Sequence, residues 1–159
     1  MTRRAGLPSP LAAGVLLGIG LGALVDGIVL HQLLQWHQLL SGWLPRDTLE
    51  RIRVHIVADG LFHSAAWIVT VVGVHRLWLA SRAGPLPGRR VLGGALIGWG
   101  GFDLVEGLVD HALLGLHRVN ERVPPDERLL WDLGFLALGA VLVAAGWKLA
   151  RPRRHAATV

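Results

Sequence analysis

Four long apolar runs, each closed off by proline or glycine and a few charged residues, dominate the 159-residue sequence. About 20 apolar residues in a helix are enough to cross the hydrocarbon of a bilayer, and a backbone in lipid must satisfy its own hydrogen bonds, which a helix does. The expectation is an all-α integral membrane bundle of four transmembrane helices. Composition agrees: 17% of the residues are charged, below the quarter or so usual in soluble domains. The length holds four or five such helices, so the chain reads as a single membrane domain, 1–159, with a basic tail at 151–159.

Local signals set the helix ends. Ser9 and Pro10 suit N-cap and first-turn positions for a span running apolar from Leu11 to Val25 and on to Gly42,. A second span starts at the capping-box-like Asp47-Thr48-Leu49-Glu50 and runs to about Leu79, where Ala83-Gly84-Pro85-Leu86-Pro87-Gly88 breaks the chain,. The third covers about Val91 to His117; the fourth follows Pro124-Pro125-Asp126 and ends near Ala150. With no small-x-small cleavage site behind it, the N-terminal apolar stretch reads as a retained helix.

Charge gives the expected sidedness. Arg3, Arg4, Arg76, Arg82, Arg89, Arg90, Lys148, Arg151, Arg153 and Arg154 share one face with no acid among them, while Asp47, Glu50, Glu121, Asp126 and Glu127 mix with Arg on the other. The positive-inside rule puts both termini in the cytoplasm of a multi-pass cell-membrane protein. The cations end apolar runs and form no continuous basic face, which argues for lipid and against nucleic acid. Cys is absent and the sole Met is Met1, so thiolate and thioether metal sites are excluded,.

Residues 18–37 and 98–117 match at a constant offset of 80: Gly18, Gly20, Asp26, Gly27, His31 and His37 fall on Gly98, Gly100, Glu106, Gly107, His111 and His117. Asp59-Gly60-Leu61-Phe62 echoes Asp132-Leu133-Gly134-Phe135 at an offset of 73. The expected unit is a two-helix hairpin used twice, about 10–80 and 89–150, as a parallel repeat with its pseudo-twofold axis along the membrane normal. Glycines along spans one and three suit close helix packing. The segments VDGIVLHQLLQWH, VADGLFHSAAW and FDLVEGLVDHALLGLH resemble the bacterial predicted membrane proteins catalogued as domain of unknown function 2243, over residues 14–147. That resemblance implies four spans and transfers no catalytic residue.

The ionisable residues crowd toward one face. His55, Asp59 and His63 at i, i+4, i+8 line one side of the second span and form the sharpest local signal,. His31, His111, Asp26, Glu106 and Asp132 join them as expected metal ligands, with Asp110, Asp103, His37 and His117 expected behind the ligands; His37 and His117 lie near the outer interface, where solvated imidazoles fit equally well,. Asp103 is expected to pair with His63. On an α-helical wheel Asp26 and His31 are about 140° apart, as are Glu106 and His111, so members of each pair should point to different neighbours. A charge deep in a span costs at least about 2.5 kcal/mol, so so many require compensation.

Imidazole and carboxylate without sulfur suit zinc, iron, manganese or copper(II). Haem is disfavoured by the neighbouring carboxylates. The expected function is a membrane metal site open to the extracytoplasmic side, for redox, hydrolytic or metal-handling work. A proton- or ion-coupled transporter or channel and a non-catalytic assembly subunit are the alternatives, and homo-oligomers or partners in a membrane complex stay open.

Overall fold

The computed structural model describes residues 9–152; Arg3, Arg4, His155 and most of the basic tail lie outside the described residues. The described residues are all-helical in their regular structure, with four helices among them long and apolar enough to cross a membrane. These are α1 (Pro10–Val25), α2 (Leu49–Ser81), α3 (Gly88–Glu106) and α4 (Arg128–Ala150). Helices α1 and α3 do not simply end. Each continues into a π-helical segment, π1 (Asp26–Leu33) and π2 (Gly107–Leu113).

Proline sets the start of α1, where Pro10 occupies the first turn and its missing N–H costs nothing. Ser9 makes no side-chain cap there. At α2, Thr48 accepts from the Arg51 N–H at 3.3 Å, and Asp47 grips the Arg51 guanidinium at 2.8 Å. The capping-box-like start therefore works through Thr48 and an i, i+4 ion pair rather than through Glu50.

The helices pack in the order α2, α1, α3, α4. Of the most apolar stretch of each, 44% is buried in α1 and 39% in α3, against 17% in α2 and in α4. The central pair is thus covered by protein, while α2 and α4 present Val57, Leu61, Trp67, Leu133 and Val141 to lipid. Their cation-rich ends carry Trp78 under Arg82 and Trp147 under Arg151, rings that suit the membrane interface,.

Small residues let α1 and α3 approach. A Cβ on Gly18 would run into the Ala95 carbonyl, and one on Gly98 into the Val15 carbonyl; Gly14 meets Val91 and Gly94 meets Leu11 in the same way. Each contact recurs 80 residues on with the roles of the two helices exchanged. Without an aqueous phase to drive association, such close backbone packing is a main source of cohesion between helices in lipid.

The two spans expected to reach Gly42 and His117 stop at Leu33 and Leu113. Just beyond, Gln35 (φ 52°) and Gly115 (φ 60°) adopt the left-handed region and turn the chain back. The Trp36 N–H bonds to Leu30 and the Leu116 N–H to Asp110, closing both turns. The loops 34–48 and 114–127 then tie to each other: Gly42 N–H donates to Leu116, Glu121 N–H to Trp36, and the Trp43 indole to Leu114. Gly115→Ala is expected to lower stability by about 1 kcal/mol, since an L side chain resists this backbone geometry. Gln35→Gly changes it less, because relieved strain is offset by a freer unfolded chain. Thermal unfolding in detergent measures both.

Candidate metal centre

The π segments decide which side chains meet. A π turn bonds residue i to i+5, so side chains five apart come close to one line along the helix. Asp26 and His31, which an α-helix would point apart, therefore converge: Asp26 Oδ2 lies 3.0 Å from His31 Nε2. In π2 the same shift brings Glu106 and His111 into one cluster. The wheel angle expected from sequence fails because each helix holds an extra residue per turn at this point.

The returning loops add the next layer. Folding back at Gln35 and Gly115 carries His37 and His117 inward, where both are 1% exposed. Their rings stack with centroids 4.4 Å apart and planes within 10°. His37 Nδ1–H donates to the Val119 carbonyl at 2.7 Å, and His117 Nδ1–H to the Leu39 carbonyl at 3.1 Å. Those bonds leave each Nε2 unprotonated and facing inward, 3.8 Å from Asp26 Oδ1 for His37 and 3.6 Å from Glu106 Oε1 for His117. Burial, then a nearby imidazole, pushes the pKa of each down: His117 beside His37, and His31 beside His117. Neutral rings with a free Nε2 are what a metal requires.

His31 and His111 flank the stack, at 4.5 Å from His37 and 4.6 Å from His117. Behind each stands a carboxylate. Asp59 Oδ1 lies 3.2 Å from His31 Nδ1 and accepts the Leu39 N–H, while its Oδ2 accepts from Gln32. Asp132 Oδ1 lies 3.8 Å from His111 Nδ1 and accepts the Val119 N–H, while its Oδ2 takes the Arg118 guanidinium at 2.8 Å. Carboxylates in this place orient metal-binding imidazoles and raise their basicity.

Most of the inward atoms are left without partners. Glu106 Oε2 and the Nε2 atoms of His37, His111 and His117 are buried with no hydrogen-bond partner among the described residues, while Asp26 Oδ2 and His31 Nε2 have only each other. Three overlapping sets, His31/His37/His117, Glu106/His111/His117 and Asp26/His31/Glu106, each bring their donor atoms within 4.8 Å of one another. Donors about 2.1 Å from a first-row ion lie up to roughly 4.2 Å apart across it, so a small contraction closes each set on an ion. This buried cluster could hold a metal.

Of the residues expected from sequence, His31, His111, Asp26 and Glu106 are brought together, and His37 and His117, expected outside, stand at the centre. Asp59 and Asp132 sit one layer out. His55 is fully buried but gives its Nε2–H to the Leu44 carbonyl at 3.0 Å. His63 is half-buried, its ring 6.3 Å from that of His31, with Nε2 against Gly27. Neither belongs to the three sets, nor does half-buried Asp110. Asp103 is buried with Oδ2 unpartnered and makes no bond to His63 among the described residues. The backbone groups of Leu39 and Val119 were invisible in sequence, although the 80-residue offset relates them as it relates the histidines.

A model of one family, described as predicted membrane protein (DUF2243), matches residues 13–153. The chain belongs to that family. The DUF2243 match covers α1 from Ala13 onward, the other three helices, both π segments and both returning loops. No curated protein and no solved structure matches.

Proposed function

We propose that this DUF2243 chain holds a transition-metal centre inside the membrane, near its extracytoplasmic face, for redox chemistry. The observation that carries this is the convergence of six buried ligand atoms, four imidazole Nε2 atoms and two carboxylate oxygens, four of them with no hydrogen-bond partner among the described residues. Unpaired polar groups in a buried setting are costly, and an unseen ion is a standing explanation for such a set. The donors are His31, His37, His111, His117, Asp26 and Glu106, with Asp59 and Asp132 orienting the flanking imidazoles. Six nitrogen and oxygen donors exceed the four that a structural zinc site uses and suit iron or manganese.

The sidedness follows from Arg76, Arg82, Arg89, Arg90, Lys148 and Arg151 at the opposite ends of the helices, which the positive-inside rule assigns to the cytoplasm along with both termini. Duplication of a helical hairpin, about 10–80 and 89–150, is supported by the contacts that recur at an offset of 80 with exchanged partners. Against a transport path, the seam beyond the cluster is closed by Ala13, Gly14, Gly18, Gly94 and Gly98.

The test is metal content. Protein purified in detergent after metal-replete growth is expected to carry on the order of one or two ions per chain by mass spectrometry; trace content would sink the reading. His55→Ala is expected to keep that metal while losing about 1–3 kcal/mol of stability, because the Leu44 carbonyl loses its donor. Parallel thermal denaturation and metal analysis of this variant check both halves of that statement.

A further inference from the structure

Beside the cluster, a cavity of about 600 Å³ opens between α1, α3 and α4. Its wall is apolar and aromatic, with Trp36, Trp99, Trp131 and Phe135, and it carries two carboxylates, Asp26 and Asp103. The residues around it include Val25, Leu130 and Leu138, each more than 40% exposed and therefore facing lipid. Entry is thus from the bilayer.

The cavity exists because the two halves differ here. Gly22 stands where the 80-residue offset puts Phe102, which meets Phe62 of α2 with ring centroids 6.3 Å apart. Gly134 likewise stands where the 73-residue offset puts Leu61, and Asp103 where the other half has Ala23. One half is filled by bulky groups; the other is hollowed and given an acid. A Cβ on Gly134 would meet nothing within 4 Å.

Asp103 has no role in the cluster. It is 2% exposed, yet its Oδ2 lacks any partner among the described residues, and a buried acceptor in an apolar wall needs a donor. A cation would have to cross hydrocarbon to reach it, whereas a hydroxyl crosses at far lower cost. Flat aromatic walls favour a flat ring, packed offset or edge-on.

We propose that this cavity binds a membrane-dissolved molecule with a hydroxylated aromatic head, of the alkylphenol or quinol class, its hydroxyl donated to Asp103 and its ring beside Asp26. This deepens the metal-centre reading, on which the role of such a molecule as redox substrate rests; binding itself does not need the metal.

Metal-stripped protein in detergent is titrated with para-nonylphenol and with its methyl ether, para-nonylanisole, following tryptophan fluorescence excited at the red edge. Saturable quenching by the phenol is expected, with the ether about tenfold weaker for want of the donor. Asp103→Leu should erase the phenol's advantage while sparing the ether, and Gly134→Leu, which fills the cavity, should weaken both. Equal affinity of phenol and ether, unsaturable quenching, or unchanged binding in Gly134→Leu each overturns the proposal. Decylhydroquinone, titrated anaerobically, is expected to bind like the phenol; failure to bind excludes quinols and narrows the class to alkylphenols. Because the protein is metal-free throughout, a failed metal assay and a failed binding assay remain separate results.

Discussion

Replacing His37 and His117 together by Ala is expected to remove essentially all bound metal while leaving the four helices formed. Each ring presents an Nε2 whose tautomer is fixed by a carbonyl of the other half, Val119 for His37 and Leu39 for His117. The two rings also touch every other donor group: His31 and His111 at their flanks, Asp26 and Glu106 at their Nε2 atoms. Losing them removes two of six donors and opens the middle of the site. The single variants should each lose most of the metal. Asp59→Ala and Asp132→Ala, which reach the outer nitrogens of His31 and His111 and also hold the Leu39 and Val119 N–H groups, should weaken binding about 10–100-fold,. Metal analysis of the purified variants, with helical content checked by circular dichroism, ranks them. A folded double variant retaining full metal would overturn the ligand assignment.

Gly18→Ala and Gly98→Ala are expected to be as damaging to the fold as the first pair is to the metal. The added methyl has no room, since its contact is with the backbone of the facing helix and not with a side chain that can swing aside. Helices α1 and α3 must separate along their whole seam, at a cost of about 3 kcal/mol or more. The cluster draws one half of its donors from each side of that seam, so metal should be lost with stability. Gly101→Ala is the matched control. Its Cβ meets nothing, and in a helix interior the exchange is expected to stabilise by about 0.5–1 kcal/mol. If Gly18→Ala melts with the wild type in detergent, the close seam does not exist.

Much of the fold was legible because lipid leaves few choices. Apolar run length, Pro10, Thr48 and the proline-rich breaks locate four helices to within a few residues at most ends. The two ends that differ are those of α1 and α3, where apolar residues continue past the helix into loops that fold back over the end of the bundle and bury His37 and His117 beneath them. Burial by those loops made His37 and His117 central, although their distance along the chain had suggested an exposed interface. Asp26 and His31 stand out by residue type and do fall in the buried cluster, but the α-helical wheel gives them the wrong mutual angle, because a π turn leaves no mark in hydrophobic periodicity. His55 and His63 share one face of α2 as their spacing required. What spacing along one helix does not contain is where the neighbouring backbone lies, and for His55 that is the Leu44 carbonyl.

The exchanged carbonyls have a consequence for how such a protein is made. His37 waits for Val119 and His117 for Leu39, so neither hairpin completes its own half. While the ribosome is still translating the second hairpin, the first sits in the membrane with His37 unanchored and its donors unable to close. On the proposed metal reading, loading is then a late event, coupled to arrival of the second hairpin, and a nascent chain stalled between the two would be a membrane protein with its helices inserted and its cluster still unbuilt.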